Sequence, residues 1–176
     1  MEMKTHKQIL RMVIFAMFGA MMFAMKVAFE ALPNIHPIGM IIMVVTLAYR
    51  KYALIPIYIY VILLGAFYGF QPWWVPYLYV WTVLWLATML LPRNMSPRTA
   101  MIVYPLVAGL FGLSFGVLYA PAQALLFGYD LPTTLKWIAA GFYFDVLHGI
   151  GNVGMGLLVY PLSKLLIKLN IRAGIN

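Results

Sequence analysis

The sequence predicts an all-α integral membrane bundle of about six transmembrane helices, forming one domain over residues 1–176, with both termini cytoplasmic. Three observations carry that expectation. Hydrophobic residues make up 65% of the chain and charged residues 9%, with a mean hydropathy of +0.93, a balance outside the range of soluble domains. The apolar stretches recur at lengths near the ~20 residues that a bilayer core requires. All but Lys26 and Lys136 of the 12 basic residues fall in alternate connections.

The segments follow in order. The first runs from Ile9 to Leu32 and stops at Pro33. Met1–Arg11 leads directly into it, too long an apolar run for a signal peptide and without a convincing cleavage site. The second, Pro37–Tyr49, is short for a straight crossing and must use the protein interior or borrow from the Asn34-Ile35-His36 turn. The third is Ala53–Gly69, with Pro56 in its first turn, where a missing N–H costs little. Val75–Leu91 forms the fourth and stops at Pro92. Ala100–Phe127 forms the fifth, with Pro105 near its start and Pro121 able to kink it. Leu135–Leu166 forms the sixth, long enough to bend at Gly149, Gly151, Gly154 and Gly156 or to leave the membrane at its end.

Orientation comes from the connections. Lys4, Lys7 and Arg11 precede the first segment, Arg50 and Lys51 join the second to the third, Arg93 and Arg98 join the fourth to the fifth, and Lys164, Lys168 and Arg172 follow the sixth. The intervening connections, near Asn34, Gln71–Trp74 and Gly128–Thr134, carry no lysine or arginine. The positive-inside rule therefore places the basic side in the cytoplasm. Charge spread over four short segments also speaks against nucleic acid as the partner. The absence of cysteine removes disulfide and thiol chemistry. Three histidines scattered over both sides leave no metal site to expect.

Within the first segment Ala16, Ala20, Ala24 and Ala28 recur every fourth residue, with Gly19 beside Ala20. Residues four apart share a helix face, so this stripe lets another helix approach closely. On general grounds the neighbour is a helix of the same chain. Lys26 and Glu30 lie four apart near the outer end of this helix, as a structural ion pair or as ligand contacts.

Asp145 stands about 15 Å in from Leu135 on the sixth segment, with His148 and Asn152 on the same face. An ionisable group at that depth faces a cavity or a partner. Two readings stay open: a polar wall of a ligand pocket, or a lock between helices. The run Phe67–Trp81 surrounds the outer ends of the third and fourth segments. Trp73 and Trp74 fit an interfacial belt, whereas Tyr77, Trp81 and Trp85 descend one face toward the membrane centre and offer a stacking surface. Gly112-Leu113-Ser114-Phe115-Gly116 has the G-x-S-x-G form of a nucleophile elbow, with His148 on a later helix. The elbow needs a preceding strand, and glycine with serine is ordinary packing vocabulary between membrane helices. Rhomboid proteases carry G-x-S-G, from which Phe115 departs.

Over its full length the chain resembles the substrate-binding S components of energy-coupling factor (ECF) vitamin transporters: about six short-looped helices, both termini inside, and a first helix with alanine at Ala16, Ala20 and Ala24. The resemblance implies that these alanines dock on a transmembrane coupling protein driven by two ATPase subunits, in a prokaryotic cell membrane. It implies no catalytic activity in this chain and no cofactor, consistent with the lack of a phosphate-binding G-x-x-x-x-G-K-[ST] loop. It implies capture of a vitamin near the extracellular face by the later helices and the first connection. By position that selects Asn34, His36, Tyr77, Trp81, Asp145, His148 and Asn152. The Trp-Trp-Val-Pro-Tyr-Leu-Tyr run resembles cobalamin-type members, with pyridoxine and thiamine precursors as alternatives. A secondary transporter and a membrane scaffold are the other classes left open.

Overall fold

A computed structural model describes residues 2–32, 34–92 and 94–175 of the chain. Pro33 and Arg93, expected as a helix stop and as part of the basic side, lie outside them. The described residues form eight α-helices: α1 (Glu2–Ala28), α2 (Ile38–Tyr49), α3 (Leu54–Tyr68), α4 (Tyr77–Leu90), α5 (Pro97–Leu113), α6 (Phe115–Phe127), α7 (Leu131–Gly156) and α8 (Val159–Arg172). Short 3-10 turns at Arg50–Ala53 and Pro72–Trp74 enter α3 and α4. Four stretches are long and apolar enough to cross a membrane, and α7 with α8, bent by 48°, makes a further one.

The apolar stretch Ile38–Tyr68 doubles back at Arg50, whose backbone adopts a φ of 54°. Cross-links to α4 establish this. His36, just before α2, meets Trp81, while Arg50 at its end donates to the Met89 carbonyl at 2.7 Å, so α2 runs with α4. Tyr58 donates to the Leu78 carbonyl at 2.8 Å and Trp74 to the Val61 carbonyl at 2.8 Å, so α3 runs against it. α2 is only 12 residues, about 18 Å, long; it is apolar all round, and protein encloses it from Ile38 to Thr46. α1 is peripheral: 17% of its apolar window is buried, against 61% for Ile38–Tyr68.

Several boundaries differ from the sequence expectation. α1 ends at Ala28, a turn early, and a turn over 29–32 follows. α7 begins at Leu131 rather than Leu135, because the Asp130 carboxylate accepts the Thr133 N–H at 2.9 Å and caps the helix, with Pro132 in the first turn where no donor is missed. The fifth segment breaks at Ser114, and neither Pro105 nor Pro121 interrupts its helix. The sixth bends at Leu157–Leu158, after its glycines. Gly149 and Gly156 pack instead. A Cβ on Gly112 would lie 2.7 Å from the Gly149 nitrogen, and one on Gly156 2.6 Å from the Pro105 Cα, so α5 and α7 touch backbone to backbone.

Lys7 lies beside Gly174, and Arg11 donates to the Ile175 carbonyl at 2.6 Å. Arg11 and Lys51 flank the Tyr52 ring at 5.2 and 5.3 Å. The two ends of the chain thus meet at the same end of the bundle as the Arg50–Lys51 connection.

Candidate functional site

The residues selected from sequence separate into a buried cluster, a helix lock and a rim contact. At the cluster's centre is Trp81, 1% exposed, because the four-residue spacing on α4 places it directly beneath Tyr77, with ring centroids 5.8 Å apart. Tyr60 from α3 meets it at 6.0 Å, Phe111 and Phe115 each at 5.8 Å, and His36 at 6.3 Å. His148 from α7 closes the group, 5.3 Å from His36 and 4.8 Å from Phe115. Asn152, one turn further along α7, packs on Gly39, where a Cβ would lie 3.3 Å from its Oδ1. The connection before α2 and six helices, α2 to α7, therefore meet around His36, Trp81, His148 and Asn152.

The electrostatics of this cluster are unusual for a packed core. Both ring nitrogens of His148, the Nδ1 of His36, the Nε1 of Trp81, the Oη of Tyr60 and the Nδ2 of Asn152 are buried without a hydrogen-bond partner among the described residues. Each such group forfeits about 1–3 kcal/mol of solvation, so their concentration in one place needs a reason beyond packing. His36 lies in the connection before α2. Burial, and then the nearby charge of Lys26, lowers its pKa to about 4, so the ring there is neutral at physiological pH.

Asp145 stands apart from this group. Its Oδ1 accepts the Gly116 N–H at 3.0 Å, one of the donors left over at the start of α6. The carboxylate thereby enters the α5–α6 hydrogen-bond ladder and accounts for the break at Ser114. It also sits favourably at a helix N-terminus. Ser114 donates to the Phe111 carbonyl at 3.0 Å, while Gly112 and Gly116 are occupied by α7, so the elbow-like motif serves packing here. Asn34, in the left-handed region at φ 58°, donates to the Phe144 carbonyl at 3.2 Å and ties the first connection to α7. The aromatic ladder stops at Trp81: the Trp85 indole donates to the Arg50 carbonyl at 3.1 Å, toward the basic end.

Tyr77 has a second neighbourhood. Together with Lys26, Glu30, Leu64, Tyr68 and Trp73 it lines an open cleft of about 300 Å³ between α1, α3 and α4, at the end of the bundle away from the Arg50–Lys51 connection. Glu30 accepts a hydrogen bond there from the Tyr68 hydroxyl at 3.1 Å. Sequence reasoning did not select Tyr60, Phe111, Phe115, Tyr68 or Trp73 for the site. Four-residue spacing of Phe111 with Phe115 was the available signal, and it is indistinguishable from a core stripe until α4 and α7 are docked against it.

The alanine stripe divides. Ala16, Ala20 and Ala24 are exposed, whereas Gly19 faces α3 so closely that a Cβ there would lie 2.4 Å from Ile59 Cγ2. The expected same-chain contact is thus made by Gly19 alone and leaves the alanines uncovered. Compared with known protein families, curated proteins and solved structures, the chain matches none of them.

Proposed function

We propose that this chain is the substrate-binding membrane subunit of an ECF-type importer. It crosses the cell membrane six times with both termini in the cytoplasm, captures a vitamin or related micronutrient near the outer end of the bundle, and delivers it by docking on a transmembrane coupling protein driven by two ATPases. The observation that carries the reading is the exposed Ala16-Ala20-Ala24 stripe on a peripheral helix, a smooth face left uncovered among the described residues. In lipid such a face gains nothing from the hydrophobic effect and is useful only for close contact with another backbone. The reversal at Arg50 supports six passes, and the gathering of Lys7, Arg11, Arg50 and Lys51 at one end supports the orientation. Unpaired polar groups converging from the connection before α2 and from α3, α4 and α7 favour a binding subunit over a scaffold, which has no use for them. For the substrate, a cleft of about 300 Å³ favours the pyridoxine- or thiamine-precursor-sized alternatives over cobalamin. Catalysis and bound cofactors form no part of this reading; ATP hydrolysis belongs to the partners.

Co-purification tests it. The tagged wild-type chain should retain a coupling protein and two ATPases, and Ala20→Trp or Ala24→Trp should release them while leaving the fold monodisperse. A wild-type chain that retains no such partners, or Trp variants that still do, would refute the proposal.

A further inference from the structure

The outer cleft between α1, α3 and α4 combines features that the buried cluster lacks. It is open, and it carries one residue of each charge. Lys26 lies in the last turn of α1 and Glu30 in the turn that follows the helix, and both line the cleft. Among the described residues the Lys26 ammonium forms no hydrogen bond or ion pair, while one oxygen of Glu30 already holds the Tyr68 hydroxyl. Three aromatic side chains face these charges. Tyr68 and Trp73 meet edge to face at 6.3 Å, and Trp73 and Tyr77 do so at 5.7 Å, which leaves flat ring surface to the cleft. Leu64 forms the floor. One turn below it on α3 is Tyr60, fully buried, its hydroxyl unpartnered.

From this geometry we infer that the cleft is the recognition site for a compact planar ring that carries an anionic group and a cationic or hydrogen-bond-donating group, a small aromatic zwitterion. The inference rests on the import reading above and names the substrate class. Lys26 takes the anion, at a helix end where its own charge is favoured by the dipole. Glu30 takes the cationic or donor group, and the ring stacks among Tyr68, Trp73 and Tyr77. The volume sets the size. About 300 Å³ is the lower end of ligand pockets and accommodates one substituted ring. The site also explains why a lysine and a glutamate lie at the end of an apolar helix with no ion pair between them among the described residues.

A charge series on one ring tests this directly. Purified full-length protein is titrated calorimetrically with trigonelline (zwitterion), nicotinate (anion), nicotinamide (neutral) and the methylnicotinamide cation, and the protein as isolated is weighed by native mass spectrometry for any retained molecule. The zwitterion should bind at least about ten-fold tighter than the neutral amide or the cation, since a charge-assisted hydrogen bond is worth roughly one decade or more. Lys26→Met should abolish the preference for the carboxylate, Lys26→Arg should keep it, and Glu30→Gln should remove the advantage of the zwitterion over the simple anion. Lys26 is only half-buried, so these variants should fold. Equal binding of all four rings, no binding of any, an unchanged order in Lys26→Met, or a retained molecule of corrinoid size would overturn the inference. Co-purification of the ATPase pair, read on the same preparations, separates the two claims: its loss with charge selection intact rejects the importer and keeps the cleft, and the converse rejects the cleft alone.

Discussion

Substituting Gly116 by alanine should reveal what Asp145 does. A Cβ at that position would lie 2.3 Å from Asp145 Oδ2 and 3.1 Å from its Cγ, so the carboxylate must turn away and surrender the Gly116 N–H. Losing a hydrogen bond to a charged acceptor costs about 1.5–3 kcal/mol. Crowding a close-packed helix contact costs about 1–3 kcal/mol more, and replacing glycine by alanine inside a helix returns roughly 1 kcal/mol. The expected net loss is about 2–5 kcal/mol, or roughly 5–15 °C in Tm for a chain of this size. In an Asp145→Ala background the methyl group enters vacated space and there is no bond left to break, so the same substitution should be neutral or slightly stabilising. Equilibrium unfolding of the four proteins in detergent closes the cycle, with a coupling of about 2–6 kcal/mol expected. Strictly additive losses would show that Asp145 does not lock α7 to the start of α6, and would return it to the ligand-wall reading.

Two further outcomes can be stated. Because both ring nitrogens of His148 are buried in an aromatic cage without partners among the described residues, His148→Phe should raise stability by about 1–3 kcal/mol in thermal unfolding; a destabilised variant would show that those nitrogens are satisfied in solution. Cysteines placed by His6→Cys and Ala173→Cys should both stay unlabelled by a membrane-impermeant thiol reagent in intact cells, since Arg11 and Ile175 join the two ends of the chain at the basic end; labelling of either from outside would invert or break the topology.

The broad architecture was legible because it depends on sums over long stretches. Hydropathy and the alternation of basic connections are additive along the chain, and no single packing detail can reverse them. The segment starting at Pro37 was recognised as too short to stand alone, and the structure places it at the protein centre for the reason its all-apolar face suggests. Local capping chemistry was readable in principle at Asp130, where an Asp-x-x-Thr spacing opens α7, although the expected start fell a turn later.

What the sequence alone determined is therefore the solvent each stretch lives in and the face each residue shares with its neighbours three and four positions away. Three matters needed the docked helices. Gly19 and Ala20 are adjacent in the chain, yet a step of about 100° sends one into α3 and leaves the other to the outside. Asp145 and His148 share a face of α7, yet the gap at the start of α6 captures the first and an aromatic cage the second. Lys26 and Glu30 acquire an aromatic wall only because α3 and α4 end beside them. Periodicity specifies which direction a side chain leaves its helix, but the atoms it meets there belong to segments tens of residues away, and only tertiary packing chooses them.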